Sequence, residues 1–223
     1  MTASEIAYQE IKKAIVSGEL TPGKRVSQVK LAKKLNCSTI PIVEALRRLE
    51  SEGLLVKEGR KMAIVRKFTL AELEGLYLLR EGMEVIGARL CARKINEEQG
   101  VALLKLVTQC EEAALAQNGG VVQELEVEIH RFIVKCADCP LLEEELNRLL
   151  LIERTLVSVG YCILPDSRYT HRMLAEAILD HEEDSAEHFM KKHIQRGVAE
   201  IMSRQRVRAS SSRRPRRTSQ PQV

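Results

Sequence analysis

The chain reads Ser38-Thr-Ile-Pro-Ile-Val-Glu-Ala-Leu-Arg-Arg-Leu-Glu-Ser-Glu-Gly53, and this stretch decides the fold of its first part. Four apolar residues recur here at three- and four-residue steps, which predicts one stripe along a helix: Ile42, Ala45, Leu46 and Leu49. Gly53 is expected to end the helix, and Leu54-Leu55-Val56 then predicts a short strand.

The residues around this helix predict a small DNA-binding unit. Two helices come before it, at about 4–17 and after Ser27. Strands at 54–57 and 62–66, joined by a basic tip, predict a hairpin after it. A cationic helix on a small core, followed by a hairpin, is typical of a winged helix-turn-helix that enters a DNA groove.

The charges divide the chain into three parts. Residues 1–67 carry 14 Lys and Arg against 7 Asp and Glu, and residues 68–203 carry 14 against 24. Residues 204–223 carry seven basic residues and none that are acidic. A basic first segment beside an acidic middle indicates that one part of the chain meets a polyanion and the other does not.

The second part of the chain predicts an antiparallel bundle of helices. Thr69 with Glu72, and Asn96 with Gln99, have the spacing of capping boxes that begin two of them. Six helices with short connections follow one another up to about residue 205. We therefore expect a mainly α protein with boundaries at 1–67 and 68–205. Residues 206–223, rich in Ser, Arg, Pro and Gln, are predicted to form a disordered basic tail.

Composition excludes several classes of protein. No apolar run approaches the roughly 20 residues that cross a bilayer, and the N-terminus lacks a basic-then-apolar signal segment, so we expect a cytoplasmic protein with no membrane contact. Among six cysteines, only Cys136 and Cys139 have a metal or redox spacing, and no second pair completes a zinc site. We interpret the cysteines as small apolar residues with free thiols.

The first 66 residues resemble the GntR family of bacterial transcription regulators. The resemblance rests on an ordered run: Ile11, Ile15, Gly18, Leu20, Pro22, Gly23, Ser27, Leu31, Ala32, Leu35, Ser38, Pro41, then 44–49 and 52–54. It implies a homodimer that binds a double-stranded DNA operator. The residues expected to contact DNA are Ser38, Thr39, Arg47, Arg48, Arg60 and Lys61.

The remainder resembles the FCD-like effector domain of the FadR-type subfamily, in its six-helix, VanR-like version. The residues that carry this are Arg80, Glu84, His130, His171 and His193. The resemblance implies that residues 68–205 bind an effector and form the dimer, and that a small organic acid modulates operator affinity. Arg80 is the expected partner of the acid's carboxylate, since a guanidinium pairs with a carboxylate in fork geometry.

The chain departs from the family pattern at five positions. Thr39 and Val43 stand where the family usually has arginines, and Met62 replaces the wing glycine. Glu126 replaces an aspartate, and Cys139 replaces an asparagine.

A metal site is predicted in the helical part. Glu126 and His130 are four residues apart, which places both on one helix face. With His171 and His193 from the family pattern, one carboxylate and three imidazoles suit a divalent ion such as Zn²⁺ or Ni²⁺.

Two other functions are compatible with these residues. A metal-dependent enzyme is one, since such a site activates water, but the chain has no Glu-x-x-His pairs and no glycine-rich phosphate loop. A ligand-binding relative with weak or non-specific DNA binding is the other, given Thr39 and Val43. We expect a regulator and not an enzyme.

Overall fold

The computed structural model describes residues 1–59, 62–158 and 168–212. Its first part contains three helices and a three-stranded antiparallel sheet of order β1-β3-β2. The elements are α1 Ala3–Val16, β1 Arg25–Val26, α2 Gln28–Lys34, α3 Thr39–Ser51, β2 Leu55–Glu58 and β3 Met62–Val65. This is the predicted winged helix-turn-helix.

The sequence did not reveal β1. It pairs Arg25 with Ile64 and Val26 with Ala63, while the hairpin pairs Val56 with Ile64 from the other side of β3. Two residues are too short for an alternating pattern to be visible, and β1 forms because β3 offers it a paired edge. The predicted hairpin itself is confirmed, with β2 and β3 shifted by one residue at most from the expected limits.

The apolar stripe of α3 is buried as predicted, since its four residues are at most 3% exposed. Gly53 ends the helix with φ +81°, a left-handed conformation that glycine adopts without strain.

Within residues 68–158 and 168–212 the second part contains six helices, as expected. They are α4 Leu70–Lys94, α5 Glu97–Leu115, α6 Gly119–Cys136, α7 Pro140–Ser158, α8 Arg168–Leu179 and α9 Glu183–Ser212. Both predicted capping boxes are present, with Thr69 and Glu72 starting α4 and Asn96 and Gln99 starting α5. None of the described helices combines the length and the apolar composition that crossing a membrane requires.

The last helix is longer than expected. It continues to Ser212, seven residues into the segment predicted to be disordered, because its Arg and Ala residues are good helix formers. Residues 213–223 lie outside the described part of the chain, as do Arg60 and Lys61 at the predicted hairpin tip.

The two parts share one hydrophobic core, which we call the junction core. It combines the buried residues of α1, α3 and the wing with residues of α4 and α7. The α7 residues are Leu151, Ile152 and Leu156, and the α4 residues are Leu73, Leu76 and Tyr77. A second core lies among α4, α5, α6, α8 and α9. Helix α7 also packs against α6 and α4 inside the bundle, so α4 and α7 both contact the bundle interior as well as the winged unit.

Candidate metal centre and DNA-binding face

Four buried side chains from three helices converge inside the bundle. Glu126 and His130 project from α6 one turn apart, His171 comes from α8 and His193 from α9. Each is 7% exposed or less. The helices pack through the second core, which fixes the positions of these four residues relative to one another.

The donor atoms of these residues lie within 4.8 Å of one another. The Nε2 atoms of His130 and His193 are 3.1 Å apart. Glu126 Oε2 lies 3.9 Å from His130 Nε2, 3.5 Å from His171 Nε2 and 3.8 Å from His193 Nε2. The predicted set of one carboxylate and three imidazoles is thus brought together in space.

Burial keeps two of the imidazoles neutral. It lowers the pKa of His171 to about 3, assisted by the nearby His130, and it lowers the pKa of His193 well below the ordinary value. Burial also opposes charge on His130, but the carboxylate of Glu84 outweighs it and raises the pKa of that ring. Neutral imidazoles have the free lone pair that a metal ligand needs.

A chain of buried ionic contacts leads from the cluster to α7. Glu84 Oε2 contacts His130 Nδ1, and Glu84 Oε1 accepts a 2.6 Å hydrogen bond from Arg80 Nε. Arg80 Nη1 pairs with Glu153 Oε1, which also accepts a 2.8 Å hydrogen bond from the Tyr77 hydroxyl. Because Glu84 holds His130 through Nδ1, the Nε2 atom of that ring is directed at the other three donors.

The burial of Glu84 raises the cost of its charge, yet its pKa is held at about 2, because Arg80 and His130 both lie against the carboxylate. Burial also opposes the charge of Arg80, but the carboxylates of Glu153 and Glu84 outweigh it and raise the pKa of Arg80.

Arg80 lines a cavity next to the cluster, but it already has two carboxylate partners. The cavity has a volume of about 30 Å³, and its polar lining includes Tyr77, Arg80, Glu126, Glu153 and His193. The sequence did not single out Glu153. The signal that could have found it is a carboxylate directly after the apolar run Leu149–Ile152, within a segment predicted to be helical.

The four residues fit a divalent metal ion. Neither ring nitrogen of His171 has a hydrogen-bond partner among the described residues, although the ring is 1% exposed. Buried polar atoms without a partner are rare in folded proteins. A metal ion would provide a partner for one of the two ring nitrogens of His171. Glu126, His130, His171 and His193 would hold it, and the ion would supply a Lewis-acid position for an oxygen ligand.

The face of α3 that is predicted to bind DNA presents three of the predicted residues to solvent. Ser38 occupies the N-cap position, but its hydroxyl makes no capping hydrogen bond and is exposed. Thr39 and Arg47 are both exposed on α3, eight residues apart, which places them about 80° apart around the helix axis. Within the described chain, Arg47 forms no ion pair.

Arg48 is also exposed, but it differs from Arg47 because it forms contacts with other residues of the winged unit. Its guanidinium lies 2.9 Å from Glu5 and 3.4 Å from Glu52, and 3.6 Å from the ring centre of Tyr8. These contacts hold α3 against α1. They also pair the positive charge of Arg48, which the sequence analysis expected to contact DNA, with carboxylates of the protein. Arg60 and Lys61, also predicted to contact DNA, lie outside the described residues.

Comparison with known families gives two matches. The model described as "Bacterial regulatory proteins, gntR family" matches residues 3–65, and the FCD domain model matches residues 75–196. Together they contain the exposed face of α3 and all four residues of the candidate metal site.

Individual relatives agree with these matches. The chain is 29% identical over 191 residues to the Nta operon transcriptional regulator of Aminobacter aminovorans, covering 84% of this chain and 89% of that protein. It is 32% identical over 106 residues to the HTH-type transcriptional regulator YdhC of Bacillus subtilis, which is 48% of this chain and 47% of that one. The solved structure of Escherichia coli McbR/YncC has the same fold, with a TM-score of 0.75 at 20% identity over 92% and 99% of the two chains.

Removing the charge of Glu84 should destabilise the fold. Glu84→Gln leaves Arg80 with a single carboxylate and His130 without its anionic partner, so we expect the free energy of unfolding to fall by about 3 kcal/mol. Urea denaturation with a chelator present measures this without a contribution from metal. Glu128→Gln, at an exposed position of α6, is the control and should change little. Equal stability of the two variants would contradict the role given to Glu84.

Proposed function

We propose a mechanism of regulation for this chain, which belongs to the GntR family of bacterial regulatory proteins. It has a winged helix-turn-helix followed by an FCD domain. The protein is a DNA-binding transcription regulator. In our proposal residues 1–67 read the operator, residues 68–205 bind a small organic acid with a divalent metal ion, and the dimer acts in the cytoplasm. Binding of the acid changes operator affinity.

The observation that carries the proposal is the exposed face of α3. Its inner face is fixed by the junction core, while Ser38, Thr39 and Arg47 point away from the protein. Hydroxyl groups at a helix N-terminus donate to phosphates or base edges, and arginine pairs with guanine in the major groove. Arg48 supports this face indirectly, by holding α3 against α1.

The metal is proposed to occupy the Glu126, His130, His171 and His193 cluster. Zn²⁺ and Ni²⁺ both accept this set of nitrogen and oxygen donors. Glu126 reaches the three imidazoles although it is one methylene longer than the family's aspartate. A ligand that binds only one arrangement of the winged units would shift their equilibrium and so regulate DNA binding.

A homodimer is proposed to form through the outer face of α4. Leu78, Leu79 and Ile86 are 68%, 59% and 54% exposed there. A β-carbon added at Gly75 or Gly82 on this face would contact nothing within 4 Å. Apolar residues beside small ones let two identical helices approach closely, and two-fold symmetry would present two α3 helices to the half-sites of a near-palindrome.

Arg47→Ala is expected to weaken binding to the DNA upstream of the protein's own coding region by about 1–3 kcal/mol, since a base contact is lost. Footprinting and gel-shift titration at several salt concentrations measure the affinity and its salt slope. Lys105→Ala, on an exposed part of α5, is the control. An unchanged affinity and slope would remove Arg47 from the interface, and uniform weak protection by the wild type would favour non-specific binding.

The purified protein is expected to contain one divalent ion per chain, and the double variant His171→Ala, His193→Ala should contain none, because half of the donor set is gone. Elemental analysis after dialysis measures the content. His188→Ala, at an exposed position of α9, should keep its metal. Full metal content in the double variant would end the assignment.

Leu78→Glu combined with Ile86→Glu should convert a dimer into a monomer, because four carboxylates would be brought together in the interface. Sedimentation velocity reports the mass. Val101→Glu, at a residue of α5 that is 65% exposed, controls for surface charge and should remain dimeric. A dimer that survives the α4 substitutions would place the interface elsewhere.

A further inference from the structure

We propose that Glu153 is the resident carboxylate of the effector cavity, and that a ligand's carboxylate binds Arg80 only by taking the place of Glu153. This inference rests on the proposed function, since it concerns the same cavity. It assigns to Glu153 the selection of ligands and to α7 the transmission of binding to the winged unit.

Arg80 is already paired with two carboxylates in this structure. Its Nε donates to Glu84 at 2.6 Å and its Nη1 pairs with Glu153, so two anions already surround one guanidinium. The side chain is 4% exposed, and water cannot screen a third negative charge brought beside it. An acid that reaches Arg80 must therefore displace one of the two carboxylates.

Glu153 is the carboxylate that can leave. Glu84 is fully buried and is also held by His130, and it does not line the cavity. Glu153 lies in the cavity wall beside Tyr77 and Arg80, where these two side chains hold the same oxygen, Oε1. A ligand carboxylate in that position would receive the same two donors.

The size of the cavity supports displacement. Its volume of about 30 Å³ is small. Glu153 and Arg80 join α7 to α4 across this space, so their separation would enlarge it for an acid with several carbon atoms. Withdrawal of Glu153 opens a space of carboxylate size next to the guanidinium.

The neighbours of Glu153 on α7 connect its displacement from Arg80 to the winged unit. Successive residues of a helix point about 100° apart, so Ile152 faces away from the cavity and packs in the junction core. Its Cδ1 atom lies 3.4 Å from the position that a β-carbon of Gly53 would occupy, at the end of α3. Movement of α7 would therefore change the packing of Ile152 beside Gly53, in the segment that follows α3, whereas α5 packs on α6 and α8.

Chemical rescue tests the displacement in the full-length protein. Glu153→Ala removes the resident carboxylate and leaves Arg80 with one partner, and acetate is the probe because it has the atoms that the substitution deletes. We expect sodium acetate to raise the melting temperature of this variant by about 4 °C relative to sodium chloride of equal ionic strength. The wild type and Glu144→Ala, an exposed position of α7, should shift by less than about 1 °C.

Glu153→Gln keeps the shape of the side chain and tests selectivity if the alanine variant fails to fold. Calorimetry should show that succinate binds this variant at least about tenfold more tightly than it binds the wild type, because the competing charge is gone. Hydrogen exchange of residues 49–58 should change when succinate binds, which reports movement at the end of α3.

The outcomes separate this inference from the proposed function. Absence of acetate rescue together with unchanged or weaker succinate binding overturns the role of Glu153, even where metal content and the DNA footprint are normal. Rescue without any change in exchange at residues 49–58 overturns the transmission through α7. A wild-type protein without bound metal or without a DNA footprint would contradict the proposed function instead. The effect of acetate on the melting temperature of Glu153→Ala could still be measured.

Discussion

The structure depends on the cost of burying charge. A guanidinium and several carboxylates in the interior of a helical bundle are stable only when each is paired, and the pairs run from Tyr77 through Glu153, Arg80 and Glu84 to His130. This single chain of contacts joins α7, α4 and α6. It orients the imidazole of His130 toward the other three donors of the candidate metal site and holds Arg80 at the edge of the cavity.

Much of this arrangement was predictable from the sequence. The apolar spacing of α3, the two capping boxes and the six helices follow from local patterns that tertiary contacts do not override. Glu126 and His130 shared a face by spacing alone, but His171 and His193 could be added only through family resemblance. Their convergence depends on how three helices pack, which no local pattern encodes.

Other features could not be predicted, for identifiable physical reasons. The strand β1 has two residues and exists only because β3 offers an edge. Arg47 and Arg48 are neighbours of the same type in the sequence, yet α1 supplies Glu5 and Tyr8 to one of them and not to the other. Glu153 became a candidate only when Arg80, 73 residues earlier in the chain, was found beside it.

Glu153 and the four residues of the candidate metal site lie on different helices, and this separation has an evolutionary consequence. In our proposal, a substitution at residue 153 alters which acids reach Arg80, while the candidate metal-site residues and α3 stay unaltered. Single mutations in α7 would thus let descendants of this regulator respond to new metabolites, and the rest of the machinery would need no redesign.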